Sequence, residues 1–527
     1  MIEREYLCED GTVLPVRFAD EAQAAATWRM DRSHGRDPRT PLGEALDRAG
    51  IEGSRRAYEE VGLTLPPTWE ANPEAQGFSY WSETPPSPEY LAGMMEGCGA
   101  LVQRHGSALG IWHERCLPRS KDAWAQLEAA PDTAPLPELA EVQQYGFHMT
   151  MIPAYICGND LTLLSAAVQP LYGDEAGLIA HELAQGFVNP TLQADQRLWE
   201  VGRGAQEDDA VVDALRSDDV PSAMATLEAQ GGARTFFAAV ERFLDEFGVR
   251  AEGWDVACPA WRERRSGFWA QVAQMASPDA PEPAAATTAA GARRQALVEE
   301  ISTRLAGDDA ALGRFQRRFA RIEPYVLVRE ERAHWQVALI GALRGAALRQ
   351  GARLVREGRI DQAEDVLFLL PDEVAATASP SDLRPLVASR RVEHRRWCAT
   401  VPPVVIGGDG SAAPAPTDAD GVLRGVAASR GVVTGTARVI VDLEDADRLD
   451  PGDVLVCVMT SPPWTPLFGL ASAVVADSGD LGSHPAIAAR EYGIPCVLGV
   501  DGATRTIPDG ATVTVDGAAG TVTVVGG

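Results

Sequence analysis

The sequence predicts a multidomain protein, a mostly α-helical domain followed by a small α/β domain. Three observations predict it. From about residue 85 to 400, apolar residues recur three and four positions apart with polar ones between, the spacing of a helix with one buried face. After residue 421 the pattern changes to short Val-rich runs separated by Gly, Pro or Asp, the mark of strands joined by tight turns. Between them, Pro402 to Gly421 is rich in Gly, Pro, Ala and Asp and reads as a linker. The expected organisation is a helical domain over 1–401, a linker over 402–420 and the α/β domain over 421–527.

Taken in order, residues 1–80 are irregular and carry several Pro and Gly. Helices are expected at Leu297 to Leu305 and Trp335 to Val355, with Gly351, Gly358, Pro371 and Asp372 as punctuation. Ala276 to Ala292 has few side chains that anchor a core and is expected to be a mobile loop. In the α/β domain, strands are expected at Thr436 to Val441, Val454 to Met459, Ala473 to Ala476, Cys496 to Val500 and Thr512 to Val515. One helix, Pro485 to Tyr492, interrupts them.

Composition narrows the function. The 527 residues allow several cores, and 45% are apolar, which argues against global disorder. The formal charge of 47 − 75 = −28 repels nucleic acid and anionic membrane, so neither is expected as a partner. The arginine clusters, Arg390, Arg391, Arg395 and Arg396 among them, read as solvated helix faces. Eight dispersed cysteines form no C-x-x-C pair, so reduced thiols and no metal site are expected. The N-terminus is too charged for a signal peptide, and no apolar run of the ~20 residues of a spanning helix is expected. A soluble, cytoplasmic protein is the expectation.

The stretch Asp477 to Gly499 carries the chemistry. Pro485 suits the first turn of a helix and Gly493 the position just past its end. His484 is then at or next to the N-cap, with Ser483 before it. Free N–H groups of Ala486 and Ile487, with the helix dipole, favour negative charge beside the imidazole. Gly479 and Gly482 free the preceding turn and permit close approach of a ligand. The plain alternative is a capping or core histidine.

This segment resembles the swivelling phosphohistidine domain of the phosphoenolpyruvate-utilising enzymes. The resemblance rests on Gly479, Ser483, His484, Ala486, Ile487, Ala489, Arg490, Glu491, Gly493, Ile494, Pro495 and Gly499, with Ser429, Gly431, Gly435, Ala437 and Trp464-Thr465-Pro466-Leu467 as flanking pieces. The helical region is similar to the rifampin phosphotransferase group. It carries Trp28, Asp31, His34 and Thr40 to Leu42; Gln185 to Phe187, Asn189, Thr191, Asp195 and Trp199; Phe247, Gly248, Arg250, Glu252, Pro259 and Trp261; and Arg329 with Glu330. Two departures stand out. Asp480 replaces a turn glycine, and a carboxylate there repels phosphate, acts as base or orients the imidazole. Val249 replaces a histidine.

The resemblance implies catalytic roles for His484, Ser483, Asp480 and Arg490. Arg490 would pair with the phosphate or make contacts beside Glu491. It implies substrate contacts at Trp464, Thr465, Arg250, Glu252 and Gln185, and cofactor contacts at Gly479 and Gly482. Relatives begin with an ATP-grasp domain for which this chain has no room, so ATP and Mg²⁺ are expected on a separate ATP-grasp protein. The acceptor is expected to be a hydroxyl-bearing small molecule. A lyase that eliminates the phosphorylated hydroxyl, or a non-catalytic scaffold, are the alternatives.

Other candidates read as structural. His181-Glu182 lacks a second histidine one turn on, where Gln185 stands, so a zinc site is not expected. Glu330 and Glu331 read as a solvated helix face. His148 and His334 read as ordinary helical residues.

Overall fold

The computed structural model describes residues 1–31, 37–67, 72–251, 253–278, 280–375, 382–408 and 422–525. The chain divides into two units, one formed by Met1–Ile156, Gly253–Cys258 and Arg332–Ala413, the other by Cys157–Glu252, Pro259–Glu331 and Pro414–Gly527.

In the first unit, strands β1 (Ile2–Leu7) and β2 (Val13–Phe18) form an antiparallel hairpin. Strict alternation along β2 turns Leu14, Val16 and Phe18 inward against Trp28, Tyr80 and Ile406. Strand β3 (Thr27–Met30) is flanked by β4 (Tyr80–Ser82) and β5 (Val405–Gly407). Strand β5 lies in the expected linker, which is corrected there: Val405 and Ile406 are β-branched, and their backbone groups find partners on β3. Residues 409–421 fall outside the described part, as do His34 and Glu252. The helical core gathers Leu42, Leu46, Leu127, Leu339, Leu343 and Leu369. The helix Pro41–Ala49 starts where Thr40 accepts the Gly43 N–H at 3.3 Å and Pro41 occupies the first turn.

The second unit has a helical part with two cores, one around Phe243, Trp261 and Phe268 and one around Leu164, Ile179 and Phe315. The expected loop at 276–292 is corrected: Pro283–Arg304 is one helix. Its alanines anchor little but have the highest helix propensity, and Pro283 sits in the first turn. Among the described residues one helical stretch, Leu136–Glu182, is long and apolar enough by length and composition to cross a membrane, with 44% of its apolar window buried. That corrects the expected absence of such a run, although core helices pass the same test.

The α/β part holds strands β6 (Val422–Arg424), β7 (Val426–Ser429), β8 (Val432–Val439), β9 (Val454–Cys457), β10 (Ala473–Ala476), β11 (Cys496–Leu498), β12 (Thr512–Asp516) and β13 (Thr521–Val524). They form one sheet in the order β6-β13-β12-β8-β9-β10-β11-β7. Strands β8 to β11 are parallel neighbours, and β9, β10 and β11 are buried at every residue, as their unbroken apolar runs require. The helix His484–Tyr492 is the crossover from β10 to β11. Strands β6 and β7 are separated only by Gly425 yet lie at opposite edges of the sheet, so it curls until its edges meet. Gly425 donates its N–H to Gly520, and a Cβ on it would lie 2.3 Å from the Leu498 carbonyl oxygen.

Candidate functional site

Strands β9 and β10 are paired in parallel with Cys457 opposite Ala476, so their carboxyl ends lie side by side. Ligand sites in parallel sheets form at such ends. The chain leaving β9 turns through Pro462–Trp464 into the short helix Thr465–Phe468. The chain leaving β10 turns through 477–483 into the helix that begins at His484. The two meet: Thr465 Oγ1 is 3.1 Å from His484 Nε2, and the Phe468 ring stands edge-on at 6.4 Å from the imidazole.

The turn before His484 is closed on itself. Gly479 has φ +125°, and a Cβ there would be 2.9 Å from Ser483 Oγ. Ser483 Oγ donates to the Asp480 carbonyl at 2.7 Å and accepts the Asp480 N–H at 3.1 Å. The Asp480 carboxylate accepts the Gly482 N–H at 2.8 Å. Ser483, Asp480, Gly479 and Gly482 therefore build the turn, and none of their polar bonds goes to the imidazole. Ser483 is the N-cap by backbone conformation, with His484 and Pro485 in the first turn. The Ile487 N–H, expected free, is bonded to the Ser483 carbonyl at 3.2 Å.

The helical part of the same unit supplies a buried charge cluster that bears on His484. Glu330 accepts the Thr191 hydroxyl and Arg329 Nε, both at 2.8 Å, and its side chain is 12% exposed. Arg250 lies 3.9 Å from Asp195, and both are buried. Burial pushes the His484 pKa down to about 4; Glu330 opposes the shift, while Arg250 and Arg329 add to it. The imidazole is thus neutral at neutral pH, the state in which a ring nitrogen is nucleophilic. Burial raises Asp195 to about 7, with Arg250 opposing and Glu330 reinforcing. Burial would raise Glu330 as well, but Arg329 and Thr191 hold it below the ordinary range.

Arg490 is buried and spent on the backbone, donating to the Ala428 carbonyl at 2.8 Å and the Leu481 carbonyl at 2.9 Å. Its Nη2 is 3.5 Å from His181 Nδ1. It braces the helix and the preceding turn, and neither of these bonds goes to the imidazole. Burial, then Arg490, lowers His181 to about 3. Glu491 accepts the Gly186 N–H on both carboxylate oxygens at 3.0 Å, and burial raises it to about 7. Gln185 donates to the His181 carbonyl at 2.8 Å. Trp464, expected to touch substrate, is 5% exposed within the α/β core. The expected site residues gathered at the imidazole are thus Thr465 and Arg250. The reading of Glu330 as a solvated face is corrected, because a pattern of charges cannot tell a water-facing carboxylate from one buried against Arg329. The signal for Thr191, Asp195, Arg329 and Glu330 lay in the motifs of the helical region, which named them without giving a role.

Residues 449–520 match the family described as PEP-utilising enzyme, mobile domain, and residues 149–330 match the rifampicin phosphotransferase fourth domain. Both matched segments are thus similar to parts of PEP-utilising enzymes. Thr465 and His484 fall in the first match; Thr191, Asp195, Arg250, Arg329 and Glu330 fall in the second. Among curated relatives, chondramide synthase of Chondromyces crocatus is 27% identical over 97% of this chain and 14% of its own length. A rifampicin phosphotransferase of a Streptomyces species is 36% identical over 54% of this chain and 34% of its own length. An uncharacterized phosphotransferase of Bacillus subtilis is 29% identical over 69% of this chain and 45% of its own length. The chain thus spans less than half the length of these relatives.

The first unit contains a separate cavity of about 110 Å³, walled by Trp81, Phe147 and Trp254 with Asp47, His148 and Asp255 among its polar groups. Burial lowers His148 to about 4 and raises Asp255. Half of its wall is polar or charged, with Arg39 and Asp31 also contributing. Among the described residues no group of three or more His, Cys, Asp or Glu side chains is placed to hold a metal ion.

Proposed function

We propose that this chain is a phosphotransferase component that carries a phosphoryl group on His484 and passes it to the hydroxyl of an organic small molecule. The observation that carries the reading is the neutral imidazole at a helix N-terminus, bonded to Thr465 and set against the Glu330–Arg329 and Arg250–Asp195 pairs. The donor is ATP, held with Mg²⁺ on an ATP-grasp partner, and the α/β domain swings between that partner and the docked position described above. The acceptor is held by the helical region.

In the first step the Nε2 lone pair forms a bond to a phosphoryl phosphorus of ATP, and the phosphorus–oxygen bond to the nucleotide breaks with its electrons on the leaving oxygen. Nδ1 carries the ring proton, and the Thr465 hydroxyl donates to Nε2 until it is displaced. In the second step the acceptor oxygen attacks phosphorus, the N–P bond breaks and its electron pair returns to Nε2. The hydroxyl proton passes to a carboxylate of the Asp195–Glu330 pair. Asp195, with a pKa near 7, suits that role at neutral pH. Arg329 and Arg250 offset charge on the phosphoryl oxygens. Transfer is favoured over elimination because the Asp480 carboxylate, the candidate base for elimination, is held on the Gly482 amide.

The test is incubation with labelled ATP and an ATP-grasp protein, followed by analysis of the label. Acid-labile label that His484→Ala abolishes is the expected result. Label that survives the substitution, or none with any partner, overturns the reading.

A further inference from the structure

The second unit holds another cavity, of about 410 Å³, that does not include His484 among its walls. Helix Pro283–Arg304 contributes Arg293 and Arg294, the segment before Gly186 contributes Glu182 and Gln185, and the α/β part contributes Arg430 and Arg490. Glu300 is the remaining charged residue of the wall, so four arginines face two glutamates in a chain whose net charge is −28.

The glutamates are already engaged. Glu182 takes Arg430 through both carboxylate oxygens, one at 2.6 Å, and Glu300 is bonded to the Tyr172 hydroxyl at 2.8 Å and to Arg304 at 3.2 Å. Arg293, Arg294 and Arg490 have no carboxylate within ion-pair distance among the described residues. Their bonds go to carbonyls. One nitrogen of Arg293 serves the Arg490 and Glu491 carbonyls at 3.0 and 3.1 Å, and one nitrogen of Arg294 serves the Gln185 carbonyl. That use explains one N–H group on each side chain as a partner for backbone oxygens, in Arg293 those at the end of a helix. The other guanidinium donors remain, although Glu491 acts on these cations at longer range and Arg294 also lies over the Phe187 ring at 3.7 Å. Two polar atoms of this wall belong to nine-tenths-buried residues and have no partner, Arg490 Nε and Gln185 Oε1. Burial lowers the pKa of both Arg294 and Arg490, with Glu491 opposing the shift on each.

We infer that this cavity is a binding site for a phosphate-class oxyanion, free or carried by a nucleotide, distinct from the phosphohistidine. Planar guanidinium forks match phosphate oxygens, and Arg293 and Arg294 bring theirs to the cavity wall from one helix. The anion touches both the helical part and the α/β part, so its binding stabilises the docked arrangement by mass action. The inference does not depend on phosphate transfer by His484.

The test is thermal unfolding of the full chain in inorganic phosphate, pyrophosphate or AMP, each against potassium chloride at equal ionic strength. The wild type is expected to gain melting temperature with phosphate beyond the chloride control. A larger gain with AMP assigns the anion to a nucleotide, and a larger gain with free phosphate or pyrophosphate assigns it to the inorganic ion. Arg294→Gln is expected to weaken the response roughly tenfold, the size of one charge-assisted hydrogen bond. Ala296→Glu, which places a carboxylate in the exposed cavity wall without touching the core, is expected to abolish it. His484→Ala is expected to respond as the wild type does. A wild type that gains nothing over chloride, an Ala296→Glu variant that responds fully, or a His484→Ala variant that does not respond each overturns the inference.

Discussion

Replacing Thr465 with valine tests the electronic state of the carrier nitrogen. Thr465 is 1% exposed and its hydroxyl lies 3.1 Å from His484 Nε2, so valine removes one buried hydrogen bond while keeping the β-branched shape. If the hydroxyl donates to an Nε2 lone pair and does not turn to accept from the protonated ring, the bond is confined to the neutral ring, and losing it makes protonation easier. Such a bond contributes about 0.5–1.5 kcal/mol, and one pKa unit corresponds to about 1.36 kcal/mol. The His484 pKa, about 4 in the wild type, is then expected to rise by up to about one unit. If Nε2–H instead donated to Thr465, the bond would be stronger in the charged ring, and its loss would lower the pKa. Titration of ¹⁵N-histidine-labelled protein by NMR reads both the pKa and the tautomer. A pKa that falls, or an Nε2 shift typical of a protonated nitrogen in the neutral ring, refutes the assignment of Nε2 as nucleophile.

Three further outcomes are expected. Glu330→Gln leaves Arg329 without its buried counter-charge and is expected to cost about 3–5 kcal/mol in urea unfolding; it also removes the group that opposes the His484 shift, so that pKa falls further. Asp195 is raised to about 7 in the fold, so the native state binds more protons than the unfolded chain from roughly pH 4 to 7. Its contribution to stability is present at low pH and is lost as pH rises through 7, and Asp195→Asn is expected to flatten that part of the wild-type pH profile. Gly479→Ala forces a side chain into φ +125° against Ser483 Oγ and is expected to destabilise the fold by about 1–3 kcal/mol, read as a lower melting temperature.

Much of the α/β domain was legible because its signals are local. Ala473 to Ala476 is continuous apolar sequence and is a strand over those same residues, and Pro485 with Gly493 bounds a helix that begins one residue earlier, at His484. Strands Val422–Arg424, Val426–Ser429 and Thr521–Val524 were missed, since three or four residues beside glycine carry too little periodicity. The Ala276 to Ala292 stretch is of low complexity yet is largely helical, because alanine has the highest helix propensity. At the site, the sequence pointed to His484 but could not tell which neighbours face it. Ser483, Asp480 and Arg490 lie close along the chain and bind backbone instead, while Glu330, Arg250 and Arg329, more than 150 residues away in the chain, are the groups whose charge reaches the ring. Only the fold brings such residues together.

The meeting of the two sheet edges at Gly425 bears on how a travelling carrier survives between stations. Each time such a domain leaves its dock it crosses open solvent among other copies of itself, and an exposed strand margin there is a template for aggregation. With β6 and β7 joined through Gly425, whose N–H is held by Gly520, one edge of the sheet runs directly into the other. Gly425→Val, which drives a side chain into the Leu498 carbonyl and parts that seam, should therefore reveal itself first as turbidity on concentration rather than as lost chemistry.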